Sequence, residues 1–207
     1  MLSEKSVRTF LDELASSAPA PGGGSAAALG AAIGAALVSM VANLTIGKKQ
    51  YATVQEDVQR ILARSESLRA RCVDLLERDV AVYTEVSAAY KLPRDTEELK
   101  VVRDAAVQKA LKAATAVPME LAETCVDILK LCPESAAKGN VRAVSDVGVG
   151  AVMAEAALRG AALNVLINLG SITDSEFVKR ERAHLEDLMR GQPDFKERVL
   201  QDVESKL

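Results

Sequence analysis

Apolar positions recur at helical spacing along most of the chain. Val7, Phe10, Leu11 and Leu14 stand at i, i+3, i+4 and i+7, which predicts an amphipathic helix over 3–16. The run Pro19-Ala20-Pro21-Gly22-Gly23-Gly24-Ser25 breaks it. Ser25 is the expected cap of a second helix that reaches about Ile46 and stops at Gly47. The third pattern is the most regular. Val54, Val58, Ile61, Ser65, Leu68, Cys72, Leu75, Asp79, Val82 and Val86 alternate four and three residues apart, a heptad-like stripe on one long helix ending near Leu92-Pro93.

A fourth helix starts after a cap at Asp95 or Thr96 and runs to about Leu131. Pro118 lies inside it and is expected to kink or split it, because proline removes a backbone donor and crowds the preceding turn. Cys132-Pro133 is the expected end. An irregular stretch over 134–145 follows, with Gly139-Asn140 as a stop signal. Ser145 or Asp146 opens a second helix of small residues that reaches Asn168-Leu169-Gly170. Asp174 caps a charged helix running to Arg190, and Pro193 sits in the first turn of the last one. No segment reads as a strand. The expected fold is all-α: one domain over 1–207, a bundle of about seven or eight helices with long central members.

Composition sharpens this picture. Only 3% of residues are aromatic and Trp is absent, so alanine-rich helices must cohere by close approach. The net charge is -3 with both signs interspersed, and no dense basic face argues for nucleic acid as a partner. The three cysteines, Cys72, Cys125 and Cys132, lack metal-site spacing and read as reduced, buried thiols of a cytoplasmic protein. The first twelve residues carry both charges and no apolar core of a signal peptide. The uncharged stretch from Leu14 to Gly47 is long enough to span a bilayer. It is dominated by Ala and Gly rather than Leu, Ile and Phe, so a buried helix of a soluble bundle is expected, not a membrane span. Gly30 and Gly34 then serve close helix packing.

Several residues are not needed by a plain bundle. Asp79 occupies a core position of the stripe, where a carboxylate is costly unless paired or solvated. It reads either as half of a register-fixing ion pair or as a cavity-lining group that binds substrate or moves a proton. Lys48, Lys49 and Tyr51 follow the uncharged helix, where they complement its negative end or reach a ligand anion. The triple glycine suits close backbone approach, or free N–H groups at a helix start facing a ligand. It lacks the Gly-Lys-Ser/Thr ending of a P-loop. Asn140, Ser145 and Asp146 are either caps or groups facing a cleft shared with the glycine loop. His184, the only histidine, lies between Glu181 and Glu186 and reads as solvated, which removes Ser-His-Asp triads and histidine zinc sites.

Together these residues resemble the cyclodeaminase/cyclohydrolase family of folate enzymes. The resemblance is carried by Pro-Ala-Pro-Gly-Gly-Gly-Ser-Ala-Ala-Ala at 19–28 and Asn-Leu-Thr-Ile-Gly-Lys-Lys at 43–49 with Tyr51. Asp79, Ala89-Tyr90-Lys91-Leu92-Pro93, Val117-Pro118, Gly139-Asn140, Ser145-Asp146 and Asn164-Val165 extend it along the chain. It implies an all-α homodimer or higher homo-oligomer with no metal and no tightly bound cofactor, acting on a tetrahydrofolate derivative. The expected activity is that of the stand-alone cyclohydrolases, which convert 5,10-methenyltetrahydrofolate to 10-formyltetrahydrofolate. The alternatives are the related cyclodeaminase, which releases ammonia, and a non-catalytic helical oligomerisation protein. Within that chemistry Asp79 or Asp146 is the expected base or cation stabiliser, and Lys48 the proton donor or anion ligand. Pro21, Gly22, Gly23, Gly24 and Ser25 are expected against the folate body, with Lys49, Asn140 and Ser145 completing the substrate site.

Overall fold

Local capping chemistry sets the element boundaries in the computed structural model, which describes residues 1–207. Seven α-helices form: α1 (Val7–Leu14), α2 (Gly23–Asn43), α3 (Gln55–Tyr90), α4 (Glu97–Lys138), α5 (Val144–Leu169), α6 (Ser175–Met189) and α7 (Gln192–Glu204). Short 3-10 turns occupy Leu2–Glu4, Lys49–Val54 and Val141–Ala143, and there is no strand. Thr96 caps α4 by accepting the Leu99 N–H, and Asp174 caps α6 by accepting the Phe177 N–H.

Four boundaries differ from the sequence expectation. Ser6 caps α1 through the Thr9 N–H, so the predicted helix over 3–16 is divided into a turn and a shorter helix. α2 starts at Gly23, with Gly22 as its cap, because the Ser25 hydroxyl has a different partner. It also stops at Asn43, short of Ile46. Pro118 does not split α4, and Pro133 does not end it. A proline removes only one backbone bond. Beyond Pro133 the last turn holds because Lys138 ion-pairs with both Glu134 and Asp57, and the Gly139 N–H donates to the Ser135 carbonyl at 2.8 Å.

The four long helices α2–α5 make the bundle, and α6 and α7 cover its α4 and α5 side. The stripe of α3 buries Val58, Ile61, Ser65, Leu68, Cys72 and Leu75. Ser65 is satisfied in this core by a hydroxyl–hydroxyl bond of 2.8 Å to Ser39. α2 and α5 run antiparallel with their backbones nearly touching. A Cβ built on Gly34 lies 2.9 Å from the Gly150 carbonyl oxygen, and one on Gly160 lies 3.0 Å from the Ala27 Cβ. This is how an alanine-rich core replaces aromatic bulk: small residues shorten the interhelical distance and keep the interior densely packed. All three cysteines are buried and unpaired. Burial pushes the Cys72 and Cys132 thiols up to about 12 and Cys125 well above its ordinary value.

α2 and the segment Val141–Leu169 are each long and apolar enough to cross a bilayer, with 61% and 44% of their most apolar windows buried in the bundle. Burial against neighbouring helices accounts for much of that hydrophobicity.

Candidate functional site

The apolar stripe of α3 leaves the core at Asp79, and there the start of α2 meets it. The Ser25 hydroxyl, itself fully buried, donates to Asp79 Oδ2 at 2.7 Å. A Cβ on Gly24 would stand 2.1 Å from Asp79 Oδ1. The second residue of α2 must therefore be glycine for the carboxylate to sit where it does. Gly22 caps α2 with no side-chain hydrogen bond. The first N–H groups of a helix have no intrahelical acceptor, and the positive end of the helix dipole lies among them.

α4 and α5 supply the opposite wall. Pro118 has no N–H to give to the Ala114 carbonyl, and the Asn168 side-chain amide donates to that oxygen instead, at 3.1 Å. One turn earlier, the Asn164 amide donates to the Gly160 carbonyl at 2.8 Å. A Cβ on Gly23 would lie 3.8 Å from Asn164 Nδ2, so this wall also faces the glycine loop closely. These elements enclose a cleft of about 370 Å³, whose apolar flanks include Val82, Tyr83, Val86 and Ile167. That volume suits a small organic ligand. No Lys or Arg lines the cleft.

A second cluster lies at the other end of the same helices. The Asn140 N–H donates to Thr45 Oγ1 at 2.8 Å, and its side-chain amide donates to the Leu44 carbonyl at 3.1 Å. Its side-chain oxygen accepts from the Tyr51 hydroxyl and from the Arg142 N–H. The Val141 N–H donates to the Tyr51 oxygen. Asn140 thus clasps the end of α2, the following turn and the α4–α5 link. Lys48 and Lys49 are exposed beside it, Asp146 is half-buried and Ser145 exposed at the start of α5.

The expectation of one shared cleft is therefore corrected for a single chain. The glycine loop and Asp79 come together, with Pro21 buried at the base of the loop. Lys48, Lys49, Asn140, Ser145 and Asp146 do not join them. The reason is helix length. At 1.5 Å per residue, α2 separates Lys48 from the glycine loop by roughly 30 Å, and α5 separates Asp146 from Asn164 by about 27 Å. Because α2 and α5 are antiparallel, the start of α5 lies beside the end of α2. His184 is half-exposed, 3.4 Å from Glu123 and remote from the chemistry of either cluster.

Sequence reasoning missed Tyr83, Asn164 and Asn168 as cleft residues, and the link between Pro118 and Asn168. Two asparagines at i and i+4 in the uncharged second half of α5, beyond Arg159, were the available signal.

A glycine-loop helix start, a carboxylate held by a serine hydroxyl and two anchored amides around an apolar cleft define an all-α small-molecule-binding domain. Residues 6–187 match the family model described as Formiminotransferase-cyclodeaminase, and the chain belongs to that family. It is 44% identical to a "Methenyltetrahydrofolate cyclohydrolase" of Methylorubrum extorquens, over 100% of both chains. It is 39% identical to the "Formimidoyltransferase-cyclodeaminase" of Sus scrofa, covering 91% of this chain and 35% of that longer protein. Among solved structures, it is similar to formiminotetrahydrofolate cyclodeaminase from Thermotoga maritima, with a TM-score of 0.88 and 31% identity over 99% of this chain and 98% of that one.

Proposed function

We propose that the protein is a methenyltetrahydrofolate cyclohydrolase, adding water to 5,10-methenyltetrahydrofolate to give 10-formyltetrahydrofolate. The observation that carries this reading is the Asp79 carboxylate, held by Ser25 at the wall of a cleft without a cation of its own. The methenyl carbon is an electrophilic amidinium, and a carboxylate beside it stabilises that positive charge. Asp79 also takes a proton from the attacking water, forming a neutral tetrahedral carbon bridging N5 and N10. As the bond to N5 breaks, N5 takes the proton that Asp79 holds and the hydroxyl on carbon loses its proton to solvent, leaving the formyl group on N10 and Asp79 again a carboxylate. The full-length likeness to the Methylorubrum cyclohydrolase favours this outcome.

The chemistry requires only proton transfers on a carbon that is already activated, so the enzyme works without a metal or tightly bound cofactor. It acts as a homo-oligomer in the cytoplasm, with no nucleic acid or membrane as partner.

The second reading is the cyclodeaminase, which the likeness to the Thermotoga structure favours. It uses the same tetrahedral carbon but expels ammonia. Following the loss of methenyl absorbance in parallel with ammonia release from 5-formiminotetrahydrofolate tests the proposal. Methenyl decay above the buffer rate is expected; ammonia release alone assigns the cyclodeaminase, and inactivity in both overturns the folate reading.

A further inference from the structure

The groove between α3 and α4 does not stop at the cleft. Asp79 and Tyr90 both belong to α3, eleven residues apart. Eleven residues make three helical turns to within about 20°, so Tyr90 stands on the face that carries Asp79, roughly 16 Å further along. Tyr83 and Val86 occupy the same face between them and line the cleft. α4 repeats the spacing in the opposite direction. Ala114 lines the cleft, and Arg103 lies eleven residues before it on the same face. The two ends meet. The Arg103 guanidinium lies 5.6 Å from the centre of the Tyr90 ring, and its Nε donates to the Tyr90 carbonyl at 3.2 Å. The Arg103 side chain is only 18% exposed, so it is held against the ring rather than free in solvent.

We propose that this end of the groove binds a carboxylate of the substrate's glutamate arm, with Arg103 as its ligand and Tyr90 as the residue that orients Arg103. The site rests on the folate reading of the cleft and supplies the cation that the cleft itself lacks.

The order of chemistry along the groove carries this assignment. The proposed substrate has a cationic one-carbon bridge, then an aminobenzoyl ring, then a glutamate with two carboxylates. The groove offers Asp79, then the flank of Tyr83 and Val86, then Arg103 on Tyr90. The lengths agree as well. At ordinary bond lengths a glutamate carboxylate lies roughly 10–14 Å from the bridging carbon, and the arginine side chain spans the remainder. The nearer cations of α4 are engaged or misdirected. Lys112 is bound to Asp174 at 2.7 Å, and Lys109 lies about 140° around the helix from Ala114. Arg103 still has donors to give. Its Nε serves Tyr90, its Nη1 lies 3.3 Å from the neighbouring Asp104, and its Nη2 is unengaged. The Asp104 carboxylate is 71% exposed, and an ion pair this open is weak, so a substrate carboxylate competes with it readily.

Calorimetric titration tests the site with two ligands that differ only in the arm. One is 5-formyltetrahydrofolate, and the other is the same compound ending in a primary amide in place of the glutamate. Wild type is expected to bind the first at least about tenfold more tightly, the size of one charge-assisted contact. Arg103→Met keeps an apolar stem against Tyr90 and removes the charge. It is expected to lose most of that preference while its affinity for the amide stays within about twofold of wild type. An undiminished preference in Arg103→Met, or no preference in wild type, overturns the site. An equal loss for both ligands also overturns it and leaves Arg103 as a clasp between the two helices. The methenyl assay on wild type separates this site from the reading beneath it. Folate binding without methenyl turnover overturns the proposed cyclohydrolase and leaves the arm site standing, whereas absence of folate binding overturns both.

Discussion

Asp79 and Gly24 occupy space that a single methyl group would contest. The carboxylate lies where a Cβ on residue 24 would stand 2.1 Å from its Oδ1, while the neighbouring Ser25 holds Oδ2 at 2.7 Å. The atom in conflict is the far end of a side chain that can rotate away. Gly24→Ala is therefore expected to fold normally, with a melting temperature within a few degrees of wild type, but to displace the carboxylate and reduce turnover about 100-fold. Gly34→Ala makes the opposite comparison. Its Cβ would meet the Gly150 backbone oxygen at 2.9 Å, and backbone cannot swing aside. Overpacking of this kind costs about 1–3 kcal/mol, so its melting temperature falls by roughly 2–10 °C. Thermal unfolding and the methenyl assay on both variants check the contrast. Equal loss of stability in the two would refute it.

The helices were legible in the sequence because apolar periodicity and caps are local signals. The all-α bundle, the Asp174 cap and the buried stripe of α3 follow from them, and Thr96 is the one of two offered residues that caps α4. The end of α4 was not legible. The ion pairs of Lys138 with Asp57 and Glu134 that hold its last turn include a partner on another helix. The meeting of Ser25 with Asp79 was hidden for the same reason, since 54 residues separate them. The motif residues at the far end were set in one cleft because motifs were grouped by residue type, although the predicted length of α2 already separates Lys48 from the glycine loop by roughly 30 Å. Asn140 is the clearest instance: it reads as a helix stop, yet its buried side chain fastens three segments together.

Pro118 and Asn168 form a linked pair across α4 and α5. Proline withholds the donor that Ala114 would otherwise receive, and the Asn168 amide supplies it. Pro118→Ala restores a backbone N–H that competes for the same oxygen. Proline inside a helix costs up to about 3 kcal/mol relative to alanine, so this variant is expected to melt higher. It also frees the Asn168 amide from the cleft wall, and substrate affinity is expected to fall several-fold. Stability and function then move in opposite directions. Asn168→Ala, which leaves the Ala114 oxygen without either donor, is expected to lower both. The measurements are melting temperature and KM for each variant; a Pro118→Ala protein that gains stability with unchanged KM removes the linkage.

The buried thiols give a prediction independent of function. Burial raises Cys72 and Cys132 to about 12 and pushes Cys125 well above its ordinary value. The thiolate is the reactive form, and at pH 8 almost none is present. Native protein is expected to show no reaction with a thiol-specific aromatic disulfide over minutes, and three equivalents after unfolding in guanidinium. Rapid native labelling of any one cysteine would contradict the packing of α3 against α4.

The ion network that closes α4 onto α3 sets a pH dependence of known sign. The Lys138 hydrogen bond is the main influence holding Asp57 below the usual carboxylate range; it outweighs desolvation, and the Arg60 charge adds to it. Lys138 is raised in turn, chiefly by Asp57 and then by Glu134. A depressed carboxylate contributes stability that is fully present above its unfolded value, near 3.9, and is lost as pH falls through the folded value. A raised lysine contributes fully below about 10.4 and loses that contribution as pH rises through its folded value. The network is partly open to solvent, so the effect is small. Lys138→Met is expected to lower the melting temperature at pH 7 by no more than about 3 °C. The deficit should shrink as pH falls below the ordinary carboxylate value and on through the lower folded value of Asp57, where its charge and the advantage of wild type are lost. A deficit that stays constant from pH 3 to pH 8 would show that Lys138 holds the last turn of α4 by packing of its stem rather than by charge.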